Sequence, residues 1–387
     1  MPSLSDKLRM MDGGGKRPSV QPETIALPQD CFHGSMRFPL SSFSELRHMT
    51  GSVLSAIYGM PFPRGIQPAD VLFLDTETTG LSGGAGTVAF EVGAGYFSGG
   101  HFVVEQFLMR DYPEEPIMLE KVGALMRAFP VLVTFNGRTF DAPLLQSRFL
   151  MHRMAGAYVS EHHADVLHAA RRVWKLRLGR CTLQRLESAV LGVQRVDDLP
   201  GSDVPQTFFR YLQNHDFAPI ERILEHNRQD IVSLAQLFFF LCKLYAQPET
   251  ADDPDDLISL AKALARQGEL DQSRKCYRMA TRTVHRAQAL GALAASEKRA
   301  GKVGAAIRLY TGMLNHKEHP VQACEALAKL YEHQCKNPEQ ALVYTRQALL
   351  LLSEPGLSQS EAVQLKRNAL QYRYARLRRR LMGDANA

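Results

Sequence analysis

Two carboxylates stand one residue apart in Asp75-Thr76-Glu77, directly after the apolar run Val71-Leu72-Phe73-Leu74. On a strand, positions i and i+2 point to one face. Asp75 and Glu77 therefore project together from the strand's C-terminal end, where ligands of α/β sheets bind. Paired acids with no basic neighbour invite a divalent cation. A third acid, Asp141, closes Asn136-Gly137-Arg138-Thr139-Phe140-Asp141, just past a second apolar run, Val131-Leu132-Val133-Thr134-Phe135. A fourth, Asp230, precedes the apolar stripe Ile231, Leu234 and Leu237; His226, four residues earlier, shares its helical face.

Each of these residues also has a plainer reading. Asp141 can simply complement the dipole of a helix's first turn, Asp230 can be a solvated helix residue, and His226 can be structural. The acid-free run Arg171, Arg172, Lys175, Arg177, Arg180 and Arg185 suits a phosphate backbone and equally a solvated helical face. Asp165 lies near His162, His163 and His168, but no cysteine or fixed ligand spacing supports zinc; it reads as a helix start.

The elements that must position these groups follow from hydrophobic pattern and turn residues. The strand 71–75 runs into a turn containing Gly80, Gly83, Gly84 and Gly86. Strands at about 87–97 and about 102–108 complete a meander of hairpins, and a helix follows at about 114–128. The segment at about 131–135 reads as a buried parallel strand. It leads to a helix near Asp141, where Pro143 suits the first turn. Helices are expected at about 164–175, 182–191 and 221–246, with Thr182 as the N-cap of the middle one. Strands first, then alternating strand and helix, predict an α/β mixed sheet flanked by helices.

Beyond this sheet domain (70–247) lies a polar linker (248–256) containing Ala251-Asp252-Asp253-Pro254-Asp255-Asp256, and then a self-similar helical region (257–352). Leu260, Leu293 and Leu327 recur at spacings of 33 and 34; Gly268 and Gly301, and Tyr277 and Tyr310, are 33 apart. Small residues recur at Ser273, Ala306 and Ala341, and Cys335 stands where a third glycine is expected. The pattern looks like tetratricopeptide repeats of 34 residues. Residues 353–387 form a basic helix and tail with Lys366, Arg367, Arg373, Arg376, Arg378, Arg379 and Arg380, read as a solvated cap on the solenoid. At the other end, residues 1–35 read as a disordered terminus and 36–69 as an adapter. Gly13-Gly14-Gly15 is no phosphate loop, because no strand precedes it and Arg17 follows Lys16.

Composition sets the frame. A chain of 387 residues holds two or three domains. The net charge of +6 permits a polyanionic partner without requiring one. Six scattered cysteines with no CxxC pair argue against a zinc ribbon or a disulfide framework and point to a reducing compartment. No apolar signal-peptide core is present. The longest apolar run, Ile231 to Leu244, is broken by Ser233, Gln236 and Lys243 and falls short of the ~20 residues a bilayer needs. It reads as a core helix, and the protein as cytoplasmic with no membrane partner.

Taken jointly, the motifs resemble those of the DEDD (DnaQ-like) 3′–5′ exonuclease superfamily of the ribonuclease H-like fold. In that family a strand carries Asp-x-Glu, matched by Asp75 and Glu77. A second motif, Asn-x-x-x-Phe-Asp, is matched by Asn136, Phe140 and Asp141. A third is a helical Asp preceded by Tyr or His, matched by Asp230 with His226. Asp165, Trp174, Leu183, Glu187, Gly192, Asp197-Asp198 and Gly201 resemble the bacterial YprB-type branch, some members of which carry tetratricopeptide C-termini. One departure stands out. In the histidine subclass the histidine lies five residues before the last Asp, and in the tyrosine subclass the tyrosine lies four before. Here a histidine takes the tyrosine's spacing. Four residues place it roughly 40° from Asp230 around the helix, where five give roughly 140°.

The resemblance implies 3′–5′ hydrolysis of phosphodiester bonds in single-stranded RNA or DNA. Asp75, Glu77, Asp141 and Asp230 would hold two divalent cations, Mg²⁺ or Mn²⁺, and His226 would orient or deprotonate the water. Four carboxylates converging at about 5 Å repel by roughly 3 kcal/mol per pair at an effective dielectric of 20, which cations relieve, and hard oxygen donors favour Mg²⁺ or Mn²⁺ over zinc. Thr78, Asn136, Phe140, Arg171, Arg172 and Lys175 are the residues expected to meet nucleic acid. The repeats are expected to bind a protein or to extend the nucleic-acid path. Two rivals stay open: a non-catalytic scaffold that binds through the repeats, and an endonuclease on the same fold.

Overall fold

The computed structural model describes residues 30–80, 86–154, 162–353 and 360–383. The expected disordered terminus, apart from its last residues, and part of the glycine turn (Gly83, Gly84) lie outside them. A six-stranded mixed sheet is built from β1 (Phe32–Pro39), β2 (Val71–Thr78), β3 (Ala89–Ser98), β4 (His101–Leu108), β5 (Val131–Thr134) and β6 (His162–Asp165), in the order β1-β4-β3-β2-β5-β6. β2, β3 and β4 form the antiparallel meander, while β5 and β6 run parallel to β2.

Two strands depart from expectation. β1 lies in the segments read as disordered terminus and adapter, yet it pairs with β4 from Phe32↔Leu108 to Pro39↔His101. As an edge strand with a mostly exposed face, it needs little apolar patterning and gives a weak sequence signal. β6 occupies the start of the helix expected at 164–175, which shifts to Val166–Leu178.

Helices cover both faces: α1 (Gly51–Tyr58), α2 (Glu115–Ala128), α3 (Asp141–Met151), α4 (Val166–Leu178), α5 (Leu183–Leu186), α6 (Val204–Asn214) and α7 (Ala218–Ala246). α1 begins at Thr50, whose hydroxyl accepts from the Val53 N–H, and ends at Gly59 with φ 70°. Thr182 caps α5 as expected, but α5 passes into a π turn over Glu187–Leu191. α6 was not expected. One apolar layer joins Phe73, Val131 and Val133 to Trp174, Phe238 and Phe239. The other joins Leu72, Leu74, Phe90 and Leu132 to Met118, Leu145, Phe149 and Phe208. α7 is long and apolar enough to cross a membrane by length and composition, but Ile231, Leu234, Leu237 and Phe238 are buried in the core, as the broken run predicted.

The C-terminal region is helical: α8 (Pro254–Arg266), α9 (Leu270–Ala280), α10 (Arg286–Arg299), α11 (Val303–Asn315), α12 (Pro320–His333), α13 (Pro338–Leu352) and α14 (Glu361–Gly383). Gly268 and Gly301 take left-handed conformations in the turns after α8 and α10 (φ 86° and 74°). In the third such turn Lys336, next to Cys335, takes that role (φ 53°). Ser273, Ala306 and Ala341 are buried, so neighbouring helices approach closely there. The basic α14 is not a free solvated face: Arg373 and Arg376 both bond Glu332, Lys366 pairs with Glu325, and Arg367 donates to the Leu352 carbonyl.

The polar linker is ordered, with Asp253 capping α8 by accepting from the Asp255 N–H. Asp256 takes a forked bond from Arg177 of α4 at 2.8–3.1 Å. Leu257, Ile258, Leu260 and Leu264 of α8, with Tyr277 and Leu293 beyond it, share one apolar core with Phe73 and Trp174.

Candidate active site

Asp75 and Glu77 face the side of the sheet occupied by Phe73 and α7. The β2–β3 register sets Asp75 against Gly93 and Glu77 against Glu91, and it slips by one residue between Glu77 and Thr78. The missing side chain at Gly93 makes room for α7: a Cβ there would lie 1.9 Å from Asn227 Oδ1. Asn227, fully buried, uses that space to donate from Nδ2 to Asp75 Oδ2 at 3.1 Å. Gln106 of β4 donates to Glu91 Oε1 (2.7 Å), to the Leu224 carbonyl (2.7 Å) and to Asn227 Oδ1 (3.3 Å). A buried polar floor therefore lies beneath the two acids.

Asp141 arrives from the other side. Thr76, between Asp75 and Glu77, points to the opposite face and donates from Oγ1 to Asp141 Oδ1 at 2.5 Å. Asp141 opens α3 because Asn136 turns the chain with φ 69°, its N–H bonded to Asp165 Oδ1 at 2.9 Å. Asp165 also accepts from the N–H groups of Arg138 and Leu167 and caps α4, which confirms it as a helix start.

His226 and Asp230 reach the same place from α7. His226 Nε2 lies 3.9 Å from Glu77 Oε1 and 3.7 Å from Asp230 Oδ2. Its Nδ1 lies 2.7 Å from Asp198 Oδ1. Arg195, in the loop after the π turn, forks onto Glu187 (2.7 and 2.6 Å), meets Asp198 Oδ2 at 3.1 Å and makes a very short bond to Asp230 Oδ1. A cleft of about 480 Å³ opens beside this loop, lined by Arg195, Asp198, Arg222, Glu225, His226 and Gln229.

Electrostatics records the crowding. Burial, and then the charges of Asp230, Asp141 and Glu77, hold the Asp75 carboxyl well above its ordinary range. Burial, then Glu91 and Asp230, do the same to Glu77. Burial pushes Asp141 up to about 6 against the hydrogen bond from Thr76. Burial raises Asp230 in spite of His226 and Arg195. Glu91 is a fifth acid, raised by burial, with Oε2 lacking a hydrogen-bond partner. All the candidate donors are hard oxygens, and neither Asp75 nor Glu77 has a cationic partner at short range, so the donor chemistry fits a divalent cation. Among the described residues, however, no three acidic, histidine or cysteine groups are already gathered for one ion.

The residues expected to meet nucleic acid divide. Arg171 and Lys175 are exposed on one face of α4. Arg172 is a correction: it turns inward and donates to the Ile57 carbonyl, which engages its guanidinium within the protein. Thr78 is buried and donates to the Gly80 carbonyl, and Asn136 accepts from Thr139, so both hold turns beside the site. Phe140 is half-buried at the start of α3. Asn227, Gln106, Glu91 and Arg195 were missed. Glu91 had a signal, a lone acid in the apolar string Ala89-Phe90-Glu91-Val92, whereas Arg195 sits in a loop without periodicity.

A family-model match agrees with this architecture. Residues 72–242 match a family model described as RNase_H superfamily, and the sheet domain is ribonuclease H-like. Over 332 residues the chain is 28% identical to the uncharacterized protein YprB of Bacillus subtilis (strain 168), covering 82% of this chain and 80% of that protein. A family B DNA polymerase from the hyperthermophilic archaeon Pyrobaculum calidifontis overlaps 51% of this chain at 14% identity and TM-score 0.37; the chain spans 28% of that polymerase. The RNase H-like superfamily commonly has nuclease activity, and its nucleases usually use divalent metals.

Proposed function

We propose that this protein is a metal-dependent nuclease that shortens single-stranded nucleic acid from its 3′ end by a two-metal-ion route. The observation carrying this reading is that Asp75, Glu77, Asp141 and Asp230, from β2, α3 and α7, are all buried with every one of the four carboxyls raised, and that Asp141 and Asp230 both act on Asp75 and Glu77. Such a cluster is costly to keep without cations. Bound Mg²⁺ or Mn²⁺ would supply a Lewis acid for the phosphoryl oxygen and lower the pKa of a water. In this assignment the four carboxylates hold the ions, and His226 Nε2, facing the gap between Glu77 and Asp230, accepts a proton. The exposed Arg171 and Lys175 guide the phosphate backbone into the site. The helical array, read as tetratricopeptide-like, holds a protein partner or extends the strand's path, and the protein acts in the cytoplasm.

A non-catalytic scaffold draws its support from Arg195, a built-in cation already on Asp230. Incubation of the full chain with 5′-labelled single-stranded RNA and DNA in Mg²⁺ or Mn²⁺, beside Asp75→Ala/Glu77→Ala, separates the readings. A ladder shortening from the 3′ end, absent in the control, supports the exonuclease. Internal cuts favour an endonuclease, and no metal-dependent cleavage favours the scaffold.

A further inference from the structure

We propose that one face of the helical array, running across α8, α10, α12 and α14, is a docking surface for the phosphate backbone of a single-stranded nucleic acid. The identity of the ligand rests on the nuclease reading; the groove and its charge do not.

Two hollows lie side by side on the array. One, of about 700 Å³, is lined by Lys262 of α8, by Gln288, Ala292 and Ala295 of α10, and by His319 and Gln322 at the start of α12. The other, of about 380 Å³, is lined by Lys298 of α10, by Gln322, Ala326 and Lys329 of α12, and by Lys366 of α14. Gln322 borders both, so they form one groove. The sequence repeat builds it. Gln288 and Gln322 stand five residues before the buried Leu293 and Leu327, Ala292 and Ala326 one before, and Ala295 and Lys329 two after. Lys262 likewise stands two after the buried Leu260. Steps of four and three residues keep these positions on one helical face, turned away from the leucines. α10 and α12 thus add similar strips to the same surface.

Charge decides what the groove takes. Four lysines line it against one acid, Glu325. Glu325 is already engaged, by Lys329 at 2.6 Å and Lys366 at 3.3 Å. Asp255, near the other end, is taken up by His285. Lys262 and Lys298 form no ion pair among the described residues. Their charges are therefore available to an anion.

The walls favour a phosphate backbone over an acidic polypeptide. A protein partner draws most of its affinity from a few large side chains seated in well-packed pockets. Here, apart from Val284, the apolar lining is alanine and glycine, and Tyr310 is buried. A phosphate backbone needs no such seat, because counterion release at cations supplies its affinity. Without an exposed aromatic platform for the bases, the groove reads charge rather than sequence. Its first helix, α8, packs on α4 through the Arg177–Asp256 fork and the shared core. α4 also carries the exposed Arg171 and Lys175, so adjoining helices bear both sets of cations.

Fluorescence anisotropy of the full chain with labelled oligo-dT, in EDTA so that metal-dependent cleavage is off, tests this across a NaCl series. Lys262→Ala/Lys298→Ala should lower the salt slope by about 1.4, at ~0.7 per phosphate contact on a single strand, with thermal unfolding unchanged. Gln288→Glu/Gln322→Glu keeps side-chain size at exposed positions and adds charges of the strand's own sign. It should weaken binding at low salt and lose its effect at high salt. Arg278→Ala/Arg346→Ala, which removes exposed cations that line neither hollow, should leave the slope unchanged. No binding by the wild type, unchanged affinity and slope in both groove variants, or an equal fall in the Arg278→Ala/Arg346→Ala control overturns the proposal. So does loss of labelled polyglutamate binding in the groove variants with the oligonucleotide unaffected, which assigns the groove to an acidic polypeptide. Groove-dependent binding by a wild type that cleaves nothing in Mg²⁺ or Mn²⁺ removes the nuclease reading and leaves the docking surface. Metal-dependent cleavage by a chain whose groove variants bind normally does the reverse.

Discussion

Replacing Asp141 by Asn should stabilise the metal-free protein near neutral pH, an unusual outcome for a buried polar residue. Burial raises this carboxyl from its ordinary 3.8 to about 6 in the folded chain. Each pH unit is worth about 1.36 kcal/mol, so an ionised Asp141 costs about 3 kcal/mol relative to a chain in which it is neutral. A carboxyl raised by folding gives its full contribution below pH ~4, where it is protonated in folded and unfolded chains alike, and loses it as pH rises through about 6. Asn mimics the neutral form at every pH and still accepts from Thr76 Oγ1. Urea unfolding in EDTA should therefore show the variant more stable at pH 7.5 by up to about 3 kcal/mol, with the advantage gone at pH 4. Adding Mg²⁺ or Mn²⁺ at pH 7.5 should stabilise the wild type and close the gap. A variant equal to or weaker than wild type at pH 7.5 in EDTA would refute the reasoning, because it would mean that burying the ionised Asp141 carboxylate costs nothing.

Four further outcomes follow from particular contacts. Gly93→Ala should cost about 1–3 kcal/mol in urea unfolding, the range for overpacking, and should lower any metal-dependent cleavage, because its Cβ displaces Asn227 from Asp75. Removal of the Arg177 fork by Arg177→Ala leaves the largely buried Asp256 without its main cation and should cost about 1.5–3 kcal/mol, seen as easier proteolysis near residue 250. Arg171→Ala/Lys175→Ala should weaken binding of single-stranded nucleic acid and reduce its salt slope by about 1–2, leaving stability alone, whereas Arg172→Ala should destabilise through its lost bond to Ile57.

The architecture was legible where burial makes period and type distinct. The meander, the parallel strand at Val131 and the long helix ending in Ala246 all carry strong apolar patterns and appear where expected. β1 escaped because one edge strand needs few buried residues, and Phe32-His33-Gly34-Ser35 resembles a loop. β6 escaped because four residues with two histidines carry no strand signature; its place is fixed by pairing with β5. Within the site the acids could be named because their motifs are local. The partners that set their behaviour could not. Asn227 works through a gap left at Gly93, and Arg195 reaches Glu187, Asp198 and Asp230 from a loop whose geometry depends on a π turn. Such relations exist only once distant segments meet.

The apolar core shared by Trp174, α8 and Leu293 makes the chain indivisible for the experimenter. A fragment cut at the apparent linker would bare the surface that Leu257, Ile258 and Leu264 cover, and its aggregation could be mistaken for lack of activity. The shared core also turns the helical array into a fixed jig. A partner held on its first helices would keep one distance and one bearing from Asp75 and Glu77, as work clamped to a lathe bed keeps its place relative to the tool. Register between grip and site is then a property of the fold, and inserting a helix pair would change it in a discrete step.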